Sequence, residues 1–126
     1  MILTIDPEFK QLIPPLSKEE YSGLETSVKL EGCRDSLVVW NNTIVDGHNR
    51  YEICTKNNIP FKIHEISFPD RDAAIDWIYS NQLSRRNLTD TMRTVLIGRQ
   101  YTHRKKSVGK PNGTILDQND PKPQTV

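Results

Sequence analysis

Between Leu37 and Ile53 the chain reads as strand, tight turn, strand and helix with almost nothing left over for connections. Leu37-Val38-Val39-Trp40 and Thr43-Ile44-Val45 flank Asn41-Asn42, a pair that tolerates positive φ, and this predicts a tight hairpin. Asp46-Gly47 ends the second strand. His48 to Lys56 then reads as a helix that runs out at Asn57-Asn58 and Pro60. A strand that enters a helix through one glycine is the tightest constraint in the sequence.

The flanking segments are read the same way. Ile2 to Ile5 is expected as a short strand, and Pro14-Pro15 blocks helix and ladder alike. Ser17-Lys18-Glu19-Glu20 is a capping box for a helix with Tyr21, Leu24, Val28 and Leu30 as its apolar stripe, stopped by Gly32. Phe61 to Ile66 alternates as a partly buried strand. Pro69-Asp70 starts a helix with Ala73, Ala74, Trp77 and Ile78 inside. Thr89 caps a last helix carrying Met92, Val95, Leu96 and Tyr101. Strands come early, helices follow, and no regular βαβ alternation appears. The expected class is α+β, a small mixed sheet with packed helices. The expected divisions are residues 1–88 as the domain, 89–106 as a basic helical extension and 107–126 as a linker or disordered tail.

Composition excludes several classes. No apolar run approaches the roughly 18 residues of a membrane helix, and the acidic start of the chain does not read as a signal peptide. Cys33 and Cys54 make neither a disulfide framework nor a C-x-x-C metal site, so a reduced, cytoplasmic protein is expected. The histidines do not form a carboxylate–histidine cluster at metal-ligand spacing: His48 lies beside Asp46 alone, His64 falls in a strand and His103 in the basic helix. No metal site is expected from them. The formal net charge of +1 hides an asymmetry. Residues 85–110 carry +7 and residues 1–84 carry −5, which points to a polyanion partner for the later segment.

The chemistry concentrates at the glycine junction. A helix start offers unpaired N–H groups and about half a positive charge, and glycine lets a phosphate approach the backbone. Arg50 is a cation in the first turn, misplaced against the helix dipole unless an anion lies between them. The alternative is that Arg50 pairs with Asp46 or Glu52 and Gly47 only permits a turn. A second polar cluster, Asn81-Gln82-Leu83-Ser84-Arg85-Arg86, ends a helix, where two arginines also suit the dipole as caps and solvated charge.

In order and spacing, these segments resemble the N-terminal domain of the ParB family, within the ParB/sulfiredoxin fold. Gly47-His48-Asn49-Arg50-Tyr51-Glu52-Ile53 resembles the family motif Gly-Glu-Arg-Arg-x-Arg-Ala, with Gly47 and Arg50 kept. Asn81 to Leu88 resembles Glu-Asn-x-x-Arg-x-x-Leu, with Arg85 and Leu88 kept. Asp35 to Val39 resembles the segment that lines the nucleotide base. The departures are closer to ParB-like proteins of phages and integrated mobile elements. The resemblance implies that Gly47, His48, Asn49, Arg50, Asn81, Gln82, Arg85 and Arg86 bind the phosphates of a nucleoside triphosphate, CTP above others, with or without magnesium. Asn81 stands where the family has its glutamate and Gln82 where it has its asparagine. A weak or absent NTPase is therefore expected, because the hard oxygen anchor for Mg²⁺ is missing.

Two alternatives remain. One is a small phosphotransferase or NTPase of the same fold, with Asp46 or Glu52 as candidate base. The other is a protein-interaction domain whose nucleotide site has decayed. Sulfiredoxin chemistry is not expected, because His48 occupies the place of its nucleophilic cysteine and Cys54 lies more than one and a half turns further along. Arg93, Arg99, Arg104, Lys105 and Lys106 are the candidate contacts to DNA backbone, which position without specifying sequence. Self-association is expected and membrane association is not. The base-reading module is expected in a part of a longer protein outside these 126 residues.

Overall fold

The protein is described from a computed structural model, over residues 2–85 and 88–108. It forms two compact units, Met1–Ile78 and Tyr79–Val126.

The first unit opens with α1 (Pro7–Gln11), a helix that the sequence reading missed. Asp6 caps it, its Oδ1 accepting from the Glu8 and Phe9 N–H groups at 2.9 and 3.2 Å, and Pro7 takes the first helical position. The expected strand over Ile2 to Ile5 shrinks to a single bridge from Thr4 to Thr43. The physical reason is that Asp6-Pro7 turns the chain into α1 at once, while Ile2 stays 86% exposed.

α2 (Lys18–Glu31) carries the full capping box: Ser17 Oγ accepts from Glu20 N at 3.1 Å, and Glu20 Oε1 accepts from Ser17 N at 2.9 Å. Gly32 ends it at φ 81°. Leu30, placed on the stripe by sequence, is 80% exposed, because the buried face follows Tyr21, Leu24 and Val28.

β1 (Leu37–Trp40) and β2 (Thr43–Asp46) form the expected hairpin, with Asn41 and Asn42 at φ 49° and 61°. β3 (Ile63–Glu65) runs parallel to β1 on its other side, so the sheet order is β2-β1-β3. Val38 pairs with Asp46 but Val39 pairs with Ile44, so Val45 is the extra residue of a bulge. Ile44 and Val45 are consequently both buried, and the strand loses its alternation just before the helix α3 (His48–Asn57) begins. The expected α+β class, a small mixed sheet with packed helices, is the observed one.

Apolar clusters among the described residues help hold this unit. Leu3, Leu37, Val39 and Ile44 pack with Tyr51, Phe61 and Ile63. Val28, Ile53 and Cys54 pack with Tyr21, Leu24, Cys33, Ile59 and Phe61. Phe61 belongs to both, and Tyr51 meets it edge-on at 5.6 Å while its hydroxyl accepts from Leu3 N. α4 (Arg71–Leu83) starts at Asp70, whose Oδ1 accepts from Ala73 N at 2.8 Å. Arg71 then donates to Asp6 and Glu8 at 2.8 and 2.7 Å and covers the Phe9 ring, which holds the Asp6 carboxyl below its usual range and fixes α1.

The second unit contains the end of α4 and α5 (Asp90–Val108), with Thr89 Oγ1 accepting from Met92 N at 3.1 Å as the cap. Leu96 is fully buried, but Tyr101 is 65% exposed, contrary to the face expected from sequence. The inner face of α5 continues instead through Gln100, which donates to Ser80 Oγ at 2.8 Å, and His103, whose ring lies 6.2 Å from that of Tyr79. Polar and ring contacts occupy positions that a purely apolar pattern assigns to leucine-like residues. Among the described residues no helix is long and apolar enough to cross a membrane.

Candidate functional site

The junction of β2 and α3 is built on backbone that few residues adopt. Gly47 sits at φ 101°, ψ 24° as the N-cap of α3 and is buried. A Cβ there would meet Leu37 Cδ2 at 2.5 Å and Arg50 Nη2 at 3.1 Å, so β1 and α3 close on the glycine from two sides. The glycine carbonyl accepts from Tyr51 N at 2.8 Å, which starts the helix immediately.

This helix start lacks the devices seen elsewhere in the chain. α1, α2, α4 and α5 are each capped by a side-chain oxygen of Asp6, Ser17, Asp70 and Thr89. α3 has no side-chain cap and no acid in its first turn. Its leading N–H groups and positive dipole end are therefore met by nothing of opposite charge on the helix itself.

Arg50 lies inside this first turn. Its Nη2 donates to the Ser36 carbonyl at 3.3 Å and stands 3.6 Å from Asp46 Oδ2, with the two side chains only 16% and 14% exposed. The pairing with Asp46 that sequence offered as the alternative reading is thus present, at the long end of ion-pair range. It does not use the whole guanidinium: Arg50 Nε is buried without a partner. Glu52, the other candidate partner, instead accepts from the Tyr21 hydroxyl on the exposed side of α3.

His48 is buried to 7% exposure, and neither ring nitrogen has a partner. Burial holds its pKa below the ordinary value, the nearby Lys10 charge lowers it further, and Asp46 opposes the shift. A buried, unpaired imidazole beside an uncapped helix start is a pair of polar atoms with no acceptor or donor from the protein. Asn49 is half-buried in the same turn. Gly47, His48, Asn49 and Arg50 lie together at this helix start. Ser36 entered only within the segment from Asp35 to Val39, and Lys10 was missed. The Asp6-Pro7-Glu8 run was the signal that would have placed α1, and Lys10 with it.

The second cluster lies in the second unit. Gln82 is 2% exposed, and its side-chain Nε2 is buried without a partner. The Asn81 carbonyl accepts from Ser84 Oγ at 2.6 Å, and Arg85 is exposed. Arg86 lies outside the described residues. Arg93, expected on DNA, directs its guanidinium to the Leu83 and Arg85 carbonyls at 2.8 and 3.3 Å, where it satisfies the C-terminal end of α4. Arg99, Arg104, Lys105 and Lys106 are exposed along α5, with Lys105 over the Tyr101 ring. Among the described residues no group of three or more His, Cys, Asp or Glu is arranged to hold a metal ion.

Gly47→Ala is expected to destabilise the protein by about 1–3 kcal/mol, through a strained backbone and the clash with Leu37; urea denaturation checks this, and unchanged stability would refute the geometry. His48 gives a pH signature. Because its folded pKa lies below the unfolded value of 6.5, the unfolded chain takes up the proton first. Stability is then full above pH 6.5 and falls as pH drops below it. The urea midpoint of the wild type should decline over that window more steeply than that of His48→Gln, and parallel curves would show that His48 does not carry the effect.

No model of a known protein family matches the chain, and no curated protein sequence does. Solved structures do. The chain is similar to one crystal form of a Pnob8-like ParB-N domain, at TM-score 0.71 and 26% identity, over 84% of this chain and 43% of that one. It is also similar to a pNOB8-like ParB N-domain, at TM-score 0.70 and 27% identity, over 84% of this chain and 40% of that one. The chain thus spans about two fifths of the length of the structures it matches. The resemblance read from Gly47, Arg50, Arg85 and Leu88 and the likeness in three dimensions agree: the chain has a ParB N-terminal domain-like fold.

Proposed function

We propose that the chain is the nucleotide-binding, DNA-associated regulatory domain of a partition-type ParB-like protein, taking CTP or a CTP-like triphosphate at the start of α3. One observation carries this reading: among the described residues, α3 is the helix that begins without a side-chain cap, on a glycine too crowded for a Cβ, with an arginine in its first turn. A phosphate group supplies what that helix start lacks. It accepts from the leading N–H groups, complements the dipole and gives Arg50 a bidentate partner in place of a 3.6 Å contact. The contact of Arg50 with the Ser36 carbonyl ties that phosphate site to the segment assigned by resemblance to the base.

Binding without turnover is the expected behaviour. Asn81 offers no carboxylate for Mg²⁺. Of the two acids that a phosphotransferase would draw on, Asp46 faces Arg50 and Glu52 is held by Tyr21. The phosphotransferase and the decayed-site readings are the outcomes against which this one is measured.

The test is a titration with CTP, ATP, ADP and GTP, with and without Mg²⁺, followed by phosphate release. Arg50→Ala should weaken triphosphate binding about 10- to 100-fold, the loss of a charge-assisted hydrogen bond worth about 1.5–3 kcal/mol. Steady phosphate release selects the phosphotransferase, no affinity for any nucleotide selects the decayed site, and an unchanged affinity in the variant refutes the assignment to α3. Arg85→Ala tests the second segment separately.

For DNA, the proposal names the exposed Arg99, Arg104, Lys105 and Lys106 as phosphate contacts, and sets Arg93 aside because its guanidinium serves the end of α4. Binding to random-sequence duplex should weaken with salt. The double variant Lys105→Gln, Lys106→Gln should flatten the log–log salt slope by about 2, near 0.9 for each DNA phosphate that is no longer neutralised. A slope that the variant leaves unchanged would remove α5 from the DNA interface.

A further inference from the structure

Cys33 and Cys54 stand apart in sequence but not in the fold. Cys54 is 1% exposed on α3, one turn beyond Arg50, in the cluster with Val28 and Ile53. Cys33 follows Gly32, the residue that ends α2, and is partly buried against the same cluster. Its thiol donates to the Asp35 carbonyl at 3.4 Å. Burial first, and then the neighbouring Cys33 thiol, push the Cys54 thiol up to about 11. Two free thiols therefore belong to one apolar cluster, Cys33 partly open to solvent and Cys54 buried within it. That arrangement differs from a lone buried cysteine, which packs as a small apolar residue and has no partner to react with.

We propose that Cys33 and Cys54 form a reversible intramolecular disulfide, a redox-modification site that closes residues 33–54 into a covalent loop. The enclosed segment holds both hairpin strands, Gly47 and the first turns of α3. The oxidant is a low-molecular-weight disulfide such as oxidised glutathione. The Cys33 thiolate attacks one of its sulfurs, the glutathione S–S bond breaks, and one reduced glutathione leaves with the electron pair. The Cys54 thiol gives up its proton and its sulfur attacks Cys33 Sγ in the mixed disulfide. The new Cys33–Cys54 bond forms as the second glutathione leaves as thiolate. In balance, two protein thiols are oxidised by two electrons and one glutathione disulfide is reduced to two thiols. The order follows from access: the half-buried Cys33 meets the oxidant, and the buried Cys54 resolves it. In a reducing compartment the pair stays as two thiols at rest, so the bridge responds to oxidation rather than building the fold.

The test uses the full chain equilibrated over a series of oxidised-to-reduced glutathione ratios, then denatured, alkylated and weighed by intact-mass spectrometry. The expected product is a monomer about 2 Da lighter with both thiols lost together, restored by dithiothreitol. Cys33→Ser should yield no bridge and no adduct on native protein, because Cys54 is then shielded. Retention of two alkylatable thiols across the whole series would overturn the proposal. So would a glutathione adduct at Cys33 with Cys54 still free, or a disulfide-linked dimer in place of the monomer. The readout is thiol content alone, so its failure is distinct from failure of the nucleotide reading.

Discussion

The contact of Leu37 with Gly47 is the constraint on which the first unit turns. Leu37 is fully buried at the start of β1, and the glycine has no room for a methyl group beside it. Only a residue free to take φ 101° lets β2 pass into α3 at that distance. The bulge at Val45 serves the same end, because it adds twist and turns two successive residues inward just before the helix. The sheet and α3 are thereby locked through backbone geometry, and the helix N-terminus is held beside the chain entering β1.

That geometry places Arg50 where a helix dipole disfavours a cation. The protein offsets this in part, with Asp46 one turn before it and the Ser36 carbonyl opposite. Both contacts are long, and Nε has no partner, so the offset is incomplete. His48 adds a second incomplete group, neutral by burial and with neither nitrogen paired. Elsewhere the same chain caps its helices with an aspartate, a serine or a threonine and ties Arg71 to two carboxylates. Of the buried polar atoms left short of partners among the described residues, those of His48 and Arg50 lie where the backbone also admits close approach, and Gln82 Nε2 lies in the second unit. A stable fold tolerates such a cluster only where the local loss is small or where another molecule completes it.

Local signals were legible where one residue type has one physical use. Asn41-Asn42 read as a turn because positive φ is open to few residues. The capping box at Ser17 read correctly because its two hydrogen bonds depend on residues three apart. The same holds for Gly47 and Arg50, whose grouping follows from their spacing along one helix. What failed depended on tertiary context. The apolar residues Ile2 to Ile5 looked like a strand, yet one bridge forms because Asp6 and Arg71 fix α1 across a long sequence separation. Tyr101 looked like core until Gln100 and His103 took the inner face. The nearness of Cys33 to the cluster of Cys54, and of the Lys10 charge to His48, was invisible because no periodicity links those positions.

The basic segment shows how a charge sum has to be divided before it speaks about partners. Arg93 contributes to the +7 of residues 85–110, but its guanidinium lies on carbonyls at the end of α4, a structural use that cations at helix C-termini commonly have. Lys105 and Lys106 fall in the last turn of α5, where positive charge is favoured by the dipole of their own helix, just as Asp90 is favoured in its first. Their placement is therefore explained twice, once by the helix and once by a polyanion. Arg99 is explained once, since it stands in the middle of α5, exposed and away from either end. A cation there gains nothing from the dipole of its own helix, so the helix does not explain the placement of Arg99 as it does that of Lys105 and Lys106.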